Sequence, residues 1–271
     1  MSEFSKKRSF GPVPNYPMVE SYKRPNNDFV YICGPCSVES AEHIKKMAEI
    51  VSEIGATHLR GGVFRAGTFR GKSFGWVDDA IIEAYHKAAK DNGLKNIIEV
   101  LEYSEDTMDY LSINCDAFQV GARAQQHYQL LNVLGKYNKP VFLKRNTGCT
   151  VDEWLGSAEH LLRSGVKEVY LIERGSSSFH SDVRWSPTPH VIPSVKSICD
   201  IPIIMDASHS TGRRDLVPAM TLAGVAAGAD GVLIEVHDRP DESLSDSEQA
   251  IDPETFKELM IKINKVRYAI S

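Results

Sequence analysis

The sequence has no long apolar run and no block of basic residues. No stretch is long enough to span a bilayer, and residues 1–10 lack the apolar core of a signal peptide. The net charge is −5 at pH 7, with Lys and Arg dispersed along the chain. These absences argue against a membrane protein and against a partner made of nucleic acid. We therefore expect a protein of the cytoplasm.

Cysteine is too scarce for a disulfide framework. Five cysteines are spread over 271 residues, which is typical of a reducing compartment. Cys33 and Cys36 form a C-x-x-C pair, but no second such pair exists to complete a zinc site. We interpret Cys33 as a small buried strand residue rather than as half of a redox pair.

Strand-like apolar runs alternate with helical patterns from Phe29 onward. Eight such units in this length predict an α/β fold, the (β/α)8 TIM barrel. A doubly wound sheet is the alternative, but it would leave strands over, and the chain has no G-x-G-x-x-G loop. The predicted strands are Phe29–Cys33, His58–Phe64, Asn96–Leu101, Ala117–Val120, Pro140–Lys144, Glu168–Ile172, Ile201–Met205 and Gly231–Val236; the predicted helices include Ala41–Ile54, Asp78–Asp91, Tyr128–Lys136, Val151–Ser164, Leu216–Ala227 and Pro253–Ala269.

The first 28 residues differ in composition from the rest of the chain. They are rich in Pro and Asn and show no helical period. We predict a short N-terminal extension over residues 1–28 and a barrel catalytic domain over residues 29–271.

Metal-capable side chains follow the ends of three predicted strands. Cys36 follows the first strand, His209 follows the seventh, Glu235 lies in the eighth, and Asp246 lies in the loop after it. Barrel active sites lie at the C-terminal ends of the strands, and closure makes strands seven, eight and one neighbours. These four side chains can therefore converge. A set of sulfur, nitrogen and oxygen ligands suits a borderline divalent ion: Mn²⁺, Fe²⁺, Co²⁺ or Zn²⁺.

Four basic residues occupy matching positions on four other predicted strands. They are Arg60, Arg123, Lys144 and Arg174. Charges within apolar strands are costly unless they are paired, so their mutual repulsion calls for an anion between them. A phosphorylated carboxylate fits, because Arg binds its oxygens in pairs.

Several segments together resemble the 3-deoxy-D-arabino-heptulosonate 7-phosphate (DAHP) synthases, in the compact microbial type without a regulatory domain. The resemblance extends from about Phe29 to about Ala250. The segments that carry it are Gly34-Pro35-Cys36-Ser37-Val38-Glu39-Ser40, Leu59-Arg60-Gly61-Gly62, Gln119-Val120-Gly121-Ala122-Arg123, Lys139-Pro140-Val141-Phe142-Leu143-Lys144-Arg145, Glu173-Arg174-Gly175, Asp206-Ala207-Ser208-His209-Ser210-Thr211-Gly212-Arg213-Arg214, Ala227-Gly228-Ala229-Asp230-Gly231, Ile234-Glu235-Val236-His237 and Leu244-Ser245-Asp246.

The resemblance implies an enzyme that uses a divalent metal ion to condense phosphoenolpyruvate (PEP) with erythrose 4-phosphate. The products are DAHP and phosphate, in the first step of the shikimate route to aromatic amino acids. It implies a homodimer or homotetramer. By motif, it assigns the metal to Cys36, His209, Glu235 and Asp246, the PEP carboxylate to Arg60 and Lys144, and the PEP phosphate to Arg123 and Arg174. The predicted catalytic residues are Arg60, Arg65, Lys144 and His209.

The sequence departs from the family on the side of the acceptor sugar. The family reads Lys-Pro-Arg-Thr after the second strand, whereas this chain reads Arg65-Ala66-Gly67-Thr68, so that Gly67 replaces the Arg that holds the acceptor phosphate. Ala124 and Ser177 also stand where polar and basic residues are usual, and Trp185-Ser186-Pro187-Thr188 replaces Asn-Thr-Leu-Asp. We predict that Thr68, Arg70 and Lys72 take over the phosphate. The alternatives are a different aldehyde acceptor and a catalytically silent homologue that binds a metal or a partner.

Overall fold

Eight parallel strands form a closed barrel in the computed structural model, which describes residues 15–65, 74–101 and 103–270. The prediction of a (β/α)8 TIM barrel is confirmed. The strands follow each other around the barrel as β1, β10, β9, β8, β7, β6, β5 and β2, and β10 pairs with β1 to close it. Their bounds are β1 Val30–Gly34, β2 His58–Arg60, β5 Lys95–Val100, β6 Ala117–Val120, β7 Val141–Lys144, β8 Val169–Glu173, β9 Ile203–Asp206 and β10 Gly231–Glu235.

The second barrel strand is shorter than predicted. It ends at Arg60, and Phe64–Arg65 (β3) instead pairs antiparallel with Phe74–Trp76 (β4) in a separate two-stranded sheet. The chain leaves the barrel at Gly61, where a β-carbon would lie 2.7 Å from Val38 Cγ2. The Gly62 amide donates to the Cys36 carbonyl at 3.0 Å. The loops after β1 and β2 are therefore packed and bonded together at the C-terminal end of the barrel.

All six helices predicted above are present, with ends shifted by up to two residues. Their local signals are strong: Ser40 caps α2, and Thr150 and Glu153 form a reciprocal capping box at the start of α6. No helix in the described ranges is long and apolar enough to cross a membrane. The bounds are α1 Pro17–Ser21, α2 Ala41–Ile54, α3 Asp79–Asp91, α4 Glu105–Ile113, α5 Tyr128–Leu134, α6 Val151–Ser164, α7 Val191–Lys196, α8 Ala207–Thr211, α9 Val217–Ala226 and α10 Pro253–Ile270.

The described part of the N-terminal extension packs against the barrel and contains the short helix α1. The backbone amides of Met18 and Val19 both donate to Glu159 Oε2 on α6, each at 3.0 Å. Arg24 forms ion pairs with Asp200 at 3.0 Å and Asp230 at 2.7 Å, just before β9 and β10. The extension therefore lies at the N-terminal ends of these strands.

Inside the barrel, apolar side chains give way to polar ones toward the C-terminal ends of the strands. Residues two apart on a strand share a face. Several polar residues at inward positions therefore lie two residues after an apolar one, as Lys144 lies after Phe142 and Glu235 after Leu233. The apolar interior layer is formed by Val30, Ile32, Ile97, Ala117, Phe142, Ile172, Ile204 and Leu233.

Candidate active site

A cavity of about 1280 Å³ opens at the C-terminal ends of the barrel strands. Seven of the eight residues predicted to bind the metal or PEP line it, and Glu235 lies fully buried beside them. The residues that line this cavity include Cys36, Arg60, Arg123, Ala124, Lys144, Arg174, Arg184, Trp185, His209, Asp246 and Gln249.

The four predicted metal ligands come together at one side of this cavity. The ligand atoms of Cys36, Glu235 and Asp246 all lie within 4.8 Å of one another. Cys36 Sγ donates to Asp246 Oδ2 at 3.2 Å, and His209 Nε2 lies 3.1 Å from Glu235 Oε1. Burial and the neighbouring Glu235 raise the pKa of the Cys36 thiol. A divalent cation would reverse that preference, because a coordinated thiol loses its proton. The donor set therefore fits a divalent ion.

Glu235 is the most heavily bonded of the four. Its Oε1 accepts from the Arg60 guanidinium and its Oε2 accepts from Gln249 Nε2 at 2.6 Å. Burial alone would raise the pKa of Glu235, but His209 and Arg60 outweigh it and hold the pKa well below the usual range. The carboxylate is therefore charged and available as a ligand.

Asp206, at the end of β9, fixes the orientation of His209. Its Oδ1 accepts from the His209 backbone amide at 3.0 Å and from His209 Nδ1 at 2.9 Å, which leaves Nε2 facing Glu235. A carboxylate on the far nitrogen of a ligating imidazole holds the ring and its tautomer in place. Burial alone would raise the pKa of Asp206. The neighbouring His209 and Lys144 outweigh burial, so the pKa of Asp206 lies below its usual range.

Sequence reasoning gave Asp206 no role, although its place two residues after the inward-facing Ile204 was a usable signal. It also missed Gln249 and Arg184. The Arg184 guanidinium lies 3.2 Å from Gln249 Oε1 and 3.7 Å from Asp246 Oδ1. Neither contact has a signal in the local sequence, because each joins distant parts of the chain.

The basic residues are of two kinds. Lys144 Nζ lies 3.2 Å from Asp206 Oδ2, and Arg60 is paired with Glu235, so both have a carboxylate partner within the protein. The expectation that all four basic residues need an anion between them is therefore wrong for these two.

Arg174 differs, because it is buried and has no ion pair within the part of the chain that the structure describes. Its guanidinium carbon lies 5.7 Å from the Trp185 ring centroid, within the range of a cation–π contact. Burial lowers the pKa of Arg174; Asp206 opposes this, while Arg184 and Arg123 add to it. A buried cation with two cationic neighbours favours an anion in the cavity beside it.

The predicted acceptor side falls mostly outside the described residues. Thr68, Arg70 and Lys72 are not among the described residues, and for Arg65 only the backbone is described, in β3. Ala124 does line the cavity, beside the exposed Arg123.

A closed barrel with this donor set and a buried cation at its C-terminal end defines a barrel enzyme for anionic substrates. The model of the DAHP synthetase I family matches residues 20–270, and the chain belongs to this family. The resemblance inferred from the motifs is therefore confirmed.

Relatives with known names agree with the family. The chain is 37% identical over 263 residues to the phospho-2-dehydro-3-deoxyheptonate aldolase of Thermotoga maritima. The alignment covers 97% of this chain and 77% of the relative. It is 29% identical over 262 residues to the 2-dehydro-3-deoxyphosphooctonate aldolase of Desulfotalea psychrophila, covering 88% and 90% of the two chains.

Solved structures give the same result. The crystal structure of the Thermotoga maritima DAHP synthase superimposes with a TM-score of 0.85 at 38% identity, over 90% of this chain and 71% of that one. A truncated form of that protein gives a TM-score of 0.82 at 38% identity, over 90% of this chain and 88% of the other.

Proposed function

We propose that this protein condenses PEP with erythrose 4-phosphate to give DAHP and phosphate, the first step of the shikimate route to aromatic amino acids. It is then a 3-deoxy-7-phosphoheptulonate synthase-like transferase. One observation carries the proposal: the buried Arg174, which has no ion pair among the described residues, opens into the same cavity as a convergent thiol, imidazole and pair of carboxylates. That combination is suited to a phosphorylated anion beside a divalent metal ion.

PEP is held by the four basic residues. Arg60 and Lys144 bind its carboxylate, and Arg123 and Arg174 bind its phosphate. Charge-assisted bonds of this kind are short and directional, and they are stronger in a cavity than in water. Because Arg60 and Lys144 are already held by Glu235 and Asp206, they are positioned before PEP arrives.

Cys36, His209, Glu235 and Asp246 would hold a divalent metal ion: Mn²⁺, Fe²⁺, Co²⁺ or Zn²⁺. When bound, such an ion supplies Lewis acidity toward the aldehyde oxygen of the acceptor. Asp206 keeps the His209 proton on Nδ1, so that Nε2 carries no proton and its lone pair would be available to the metal ion.

In the reaction, the π electrons of the PEP double bond form the bond from carbon 3 to the aldehyde carbon, the aldehyde π electrons move onto its oxygen, and carbon 2 becomes cationic. Water adds to carbon 2, and the proton that it loses balances the one taken up by the new alkoxide. The bond from carbon 2 to the phosphate oxygen then breaks, which releases inorganic phosphate and leaves a ketone at carbon 2. Arg123 and Arg174 stabilise the charge on the departing phosphate, and Arg60 and Lys144 keep the carboxylate in place through both steps.

The test is phosphate release by the purified protein from PEP and erythrose 4-phosphate with Mn²⁺. Arg174→Ala should raise the KM for PEP at least tenfold, since a hydrogen bond to a charged group contributes about 1.5–3 kcal/mol. Lys87→Ala, which removes an exposed positive charge on α3, is the control and should leave that KM unchanged. The assignment is wrong if Arg174→Ala binds PEP as the parent does.

A different aldehyde acceptor is the second candidate. Gly67 has no side chain with which to contact a phosphate, and Ala124 offers the cavity no hydrogen bond. If erythrose 4-phosphate is the acceptor, Arg70→Ala or Lys72→Ala should raise its KM and leave that for PEP nearly unchanged. A panel of aldoses in the same assay identifies the acceptor otherwise. Good use of erythrose 4-phosphate that neither substitution affects would contradict the roles given to this loop.

We also propose that the protein acts in the cytoplasm as a homodimer or homotetramer, with residues 1–28 as an extension of a catalytic domain over residues 29–271. The five free cysteines suit a reducing compartment. Light scattering of the purified protein measures the oligomeric state.

A further inference from the structure

Glu39 lies outside the cavity but contacts all three strand-end segments that carry the cysteine and carboxylate ligands. It stands three residues after Cys36. Its Oε1 accepts from the Leu244 backbone amide at 2.8 Å, two residues before Asp246. The same oxygen lies 3.2 Å from Nε2 of His237, two residues after Glu235. One carboxylate thus joins the neighbours of three candidate metal ligands.

The loop that carries Asp246 needs such support. Asp246 has a positive φ of 49°, a left-handed conformation that costs free energy for a residue other than glycine. Leu244 is 72% exposed, so apolar burial does not fix the loop at that point. Besides the contact between the ligand side chains of Cys36 and Asp246, the loop is joined to the segment after β1 by the Glu39 bond to Leu244 and by a 2.6 Å bond between Ser37 Oγ and Ser245 Oγ.

Glu39, His43 and His237 are also close enough for a metal site of their own, but both nitrogens of His237 and Nε2 of His43 already have hydrogen-bond partners. His237 Nδ1 accepts from the Arg239 amide at 3.0 Å, so the ring proton lies on Nε2 and is donated to Glu39. His43 Nε2 bonds to Asp238 at 3.2 Å. The group is therefore a hydrogen-bonded brace and not an open coordination site.

We propose that Glu39 is a positioning residue for the metal centre: its carboxylate fixes the segment 243–246 against the segments after β1 and β10, so that Asp246 meets the other ligands. Glu39 touches neither metal nor substrate. The inference rests on the proposed metal-dependent function. Partners of metal ligands commonly change metal affinity by about 10–100-fold when they are removed.

The test measures Mn²⁺ binding by electron paramagnetic resonance in the absence of substrates. Glu39→Ala should weaken binding about tenfold, the low end of that range, because it acts one step further from the metal. When loaded with Co²⁺, Glu39→Ala should have a visible spectrum shifted toward that of Co²⁺-loaded Asp246→Ala, because both variants would have lost the Asp246 ligand. Glu42→Ala, at an exposed position of α2, is the matched control and should bind as the parent does.

Glu39→Gln should restore most of the affinity. Its amide oxygen can still accept from Leu244 and His237, and its NH₂ group faces His43 Nδ1, a buried atom without a hydrogen-bond partner in the described structure. If Glu39→Ala does not fold, Glu39→Asp takes its place, because the shorter side chain withdraws the carboxylate from Leu244.

The outcomes separate this inference from the proposed function. Two results would overturn the positioning role and leave the function standing. One is equal Mn²⁺ affinity in the parent and in Glu39→Ala. The other is a loss of affinity in Glu39→Gln that is as large as the loss in Glu39→Ala. A parent protein that binds neither Mn²⁺ nor Co²⁺ would overturn both.

Discussion

At the scale of single residues, the buried charges of the barrel interior are defined by their partners. Arg145 is paired with Glu173 at 3.0 Å, and Glu173 also accepts from the Gly175 amide at 2.7 Å. This pair ties β7 to β8 and does not line the cavity. Arg174, directly after Glu173, lines the cavity instead. Neighbouring residues at one strand end thus place a structural ion pair on one face and a cavity-lining cation on the other.

His58 makes the stability of the fold depend on pH. Its ring packs edge-on against Phe142 with centroids 5.7 Å apart, and burial together with Lys95 lowers the pKa of His58 to about 3. In the unfolded chain a histidine has a pKa of about 6.5. Between these two values the unfolded state binds the extra proton, so the free energy of unfolding falls as the pH drops below about 6.5.

The predicted effect is a loss of about 1–2 kcal/mol from this group between pH 7 and pH 5, allowing for its partial exposure to solvent. His58→Gln cannot take up the proton, so its loss of stability over that interval should be smaller by this amount. Urea unfolding of parent and variant at both pH values measures the difference. Identical losses would show that His58 titrates normally in the folded protein.

At the scale of secondary structure, the sequence predicted well those helix ends that local capping signals determine. The bounds of α2 and α6 were predicted to the residue, because Ser40 and Thr150 cap their starts, and Gly55 and Gly165 end them in the left-handed conformation. The helices α4 and α7 belong to the eight predicted strand–helix units but were given no bounds, and α1 and α8 were not predicted. For α1 and α8 the reason is length: at five residues each, they are stabilised by contacts with distant segments and not by helical periodicity.

The element α1 depends on one side chain of α6. Because Glu159 accepts from two amides of α1, Glu159→Ala should release the extension and lower the free energy of unfolding by about 1.5–3 kcal/mol. Limited trypsin digestion should then cleave faster after Lys23, whereas Arg24 precedes Pro25 and is not a trypsin site. The KM for PEP should not change, since the extension lies at the opposite end of the barrel.

Arg163→Ala is the matched control for this prediction. It removes a half-exposed partner of Glu159 Oε1 at 2.7 Å and leaves the bonds to α1 in place. An exposed pair of this kind contributes about 0–1 kcal/mol. If both variants are cleaved at the parent's rate, the bonds from α1 to Glu159 do not hold the extension in place.

At the scale of the whole molecule, the ligand set spans the seam where the barrel closes. Gly34 on β1 is in register with Glu235 on β10, and Cys36 and Asp246 follow from the two sides of this seam. The sequence predicted these four candidate ligands because each lies at the end of a strand or in the loop that follows it. It could not predict the contact of Asp206 with Lys144 or that of Glu235 with Gln249, because these contacts form only once the strands lie side by side.

A metal ion at the seam should stabilise the folded protein. At a free Mn²⁺ concentration of 100 times Kd, the free energy of unfolding should rise by about 2.7 kcal/mol, and a chelator should remove the gain. Asp246→Ala should gain less at the same concentration because its affinity is lower. Thermal unfolding with Mn²⁺ or with EDTA measures this. An unchanged transition in the parent would contradict a metal site at the seam.

The distance along the chain between Cys36 and Asp246, 210 residues, has a consequence for biosynthesis. A ribosome that has released the first strand must still translate almost the entire barrel before the last ligand emerges. Translation that stops early, before Asp246, yields a polypeptide that lacks one carboxylate of the set. A metal ion held by all four candidate ligands would therefore be acquired late in the synthesis of the chain, and metal content would distinguish chains that extend past Asp246 from those that stop before it.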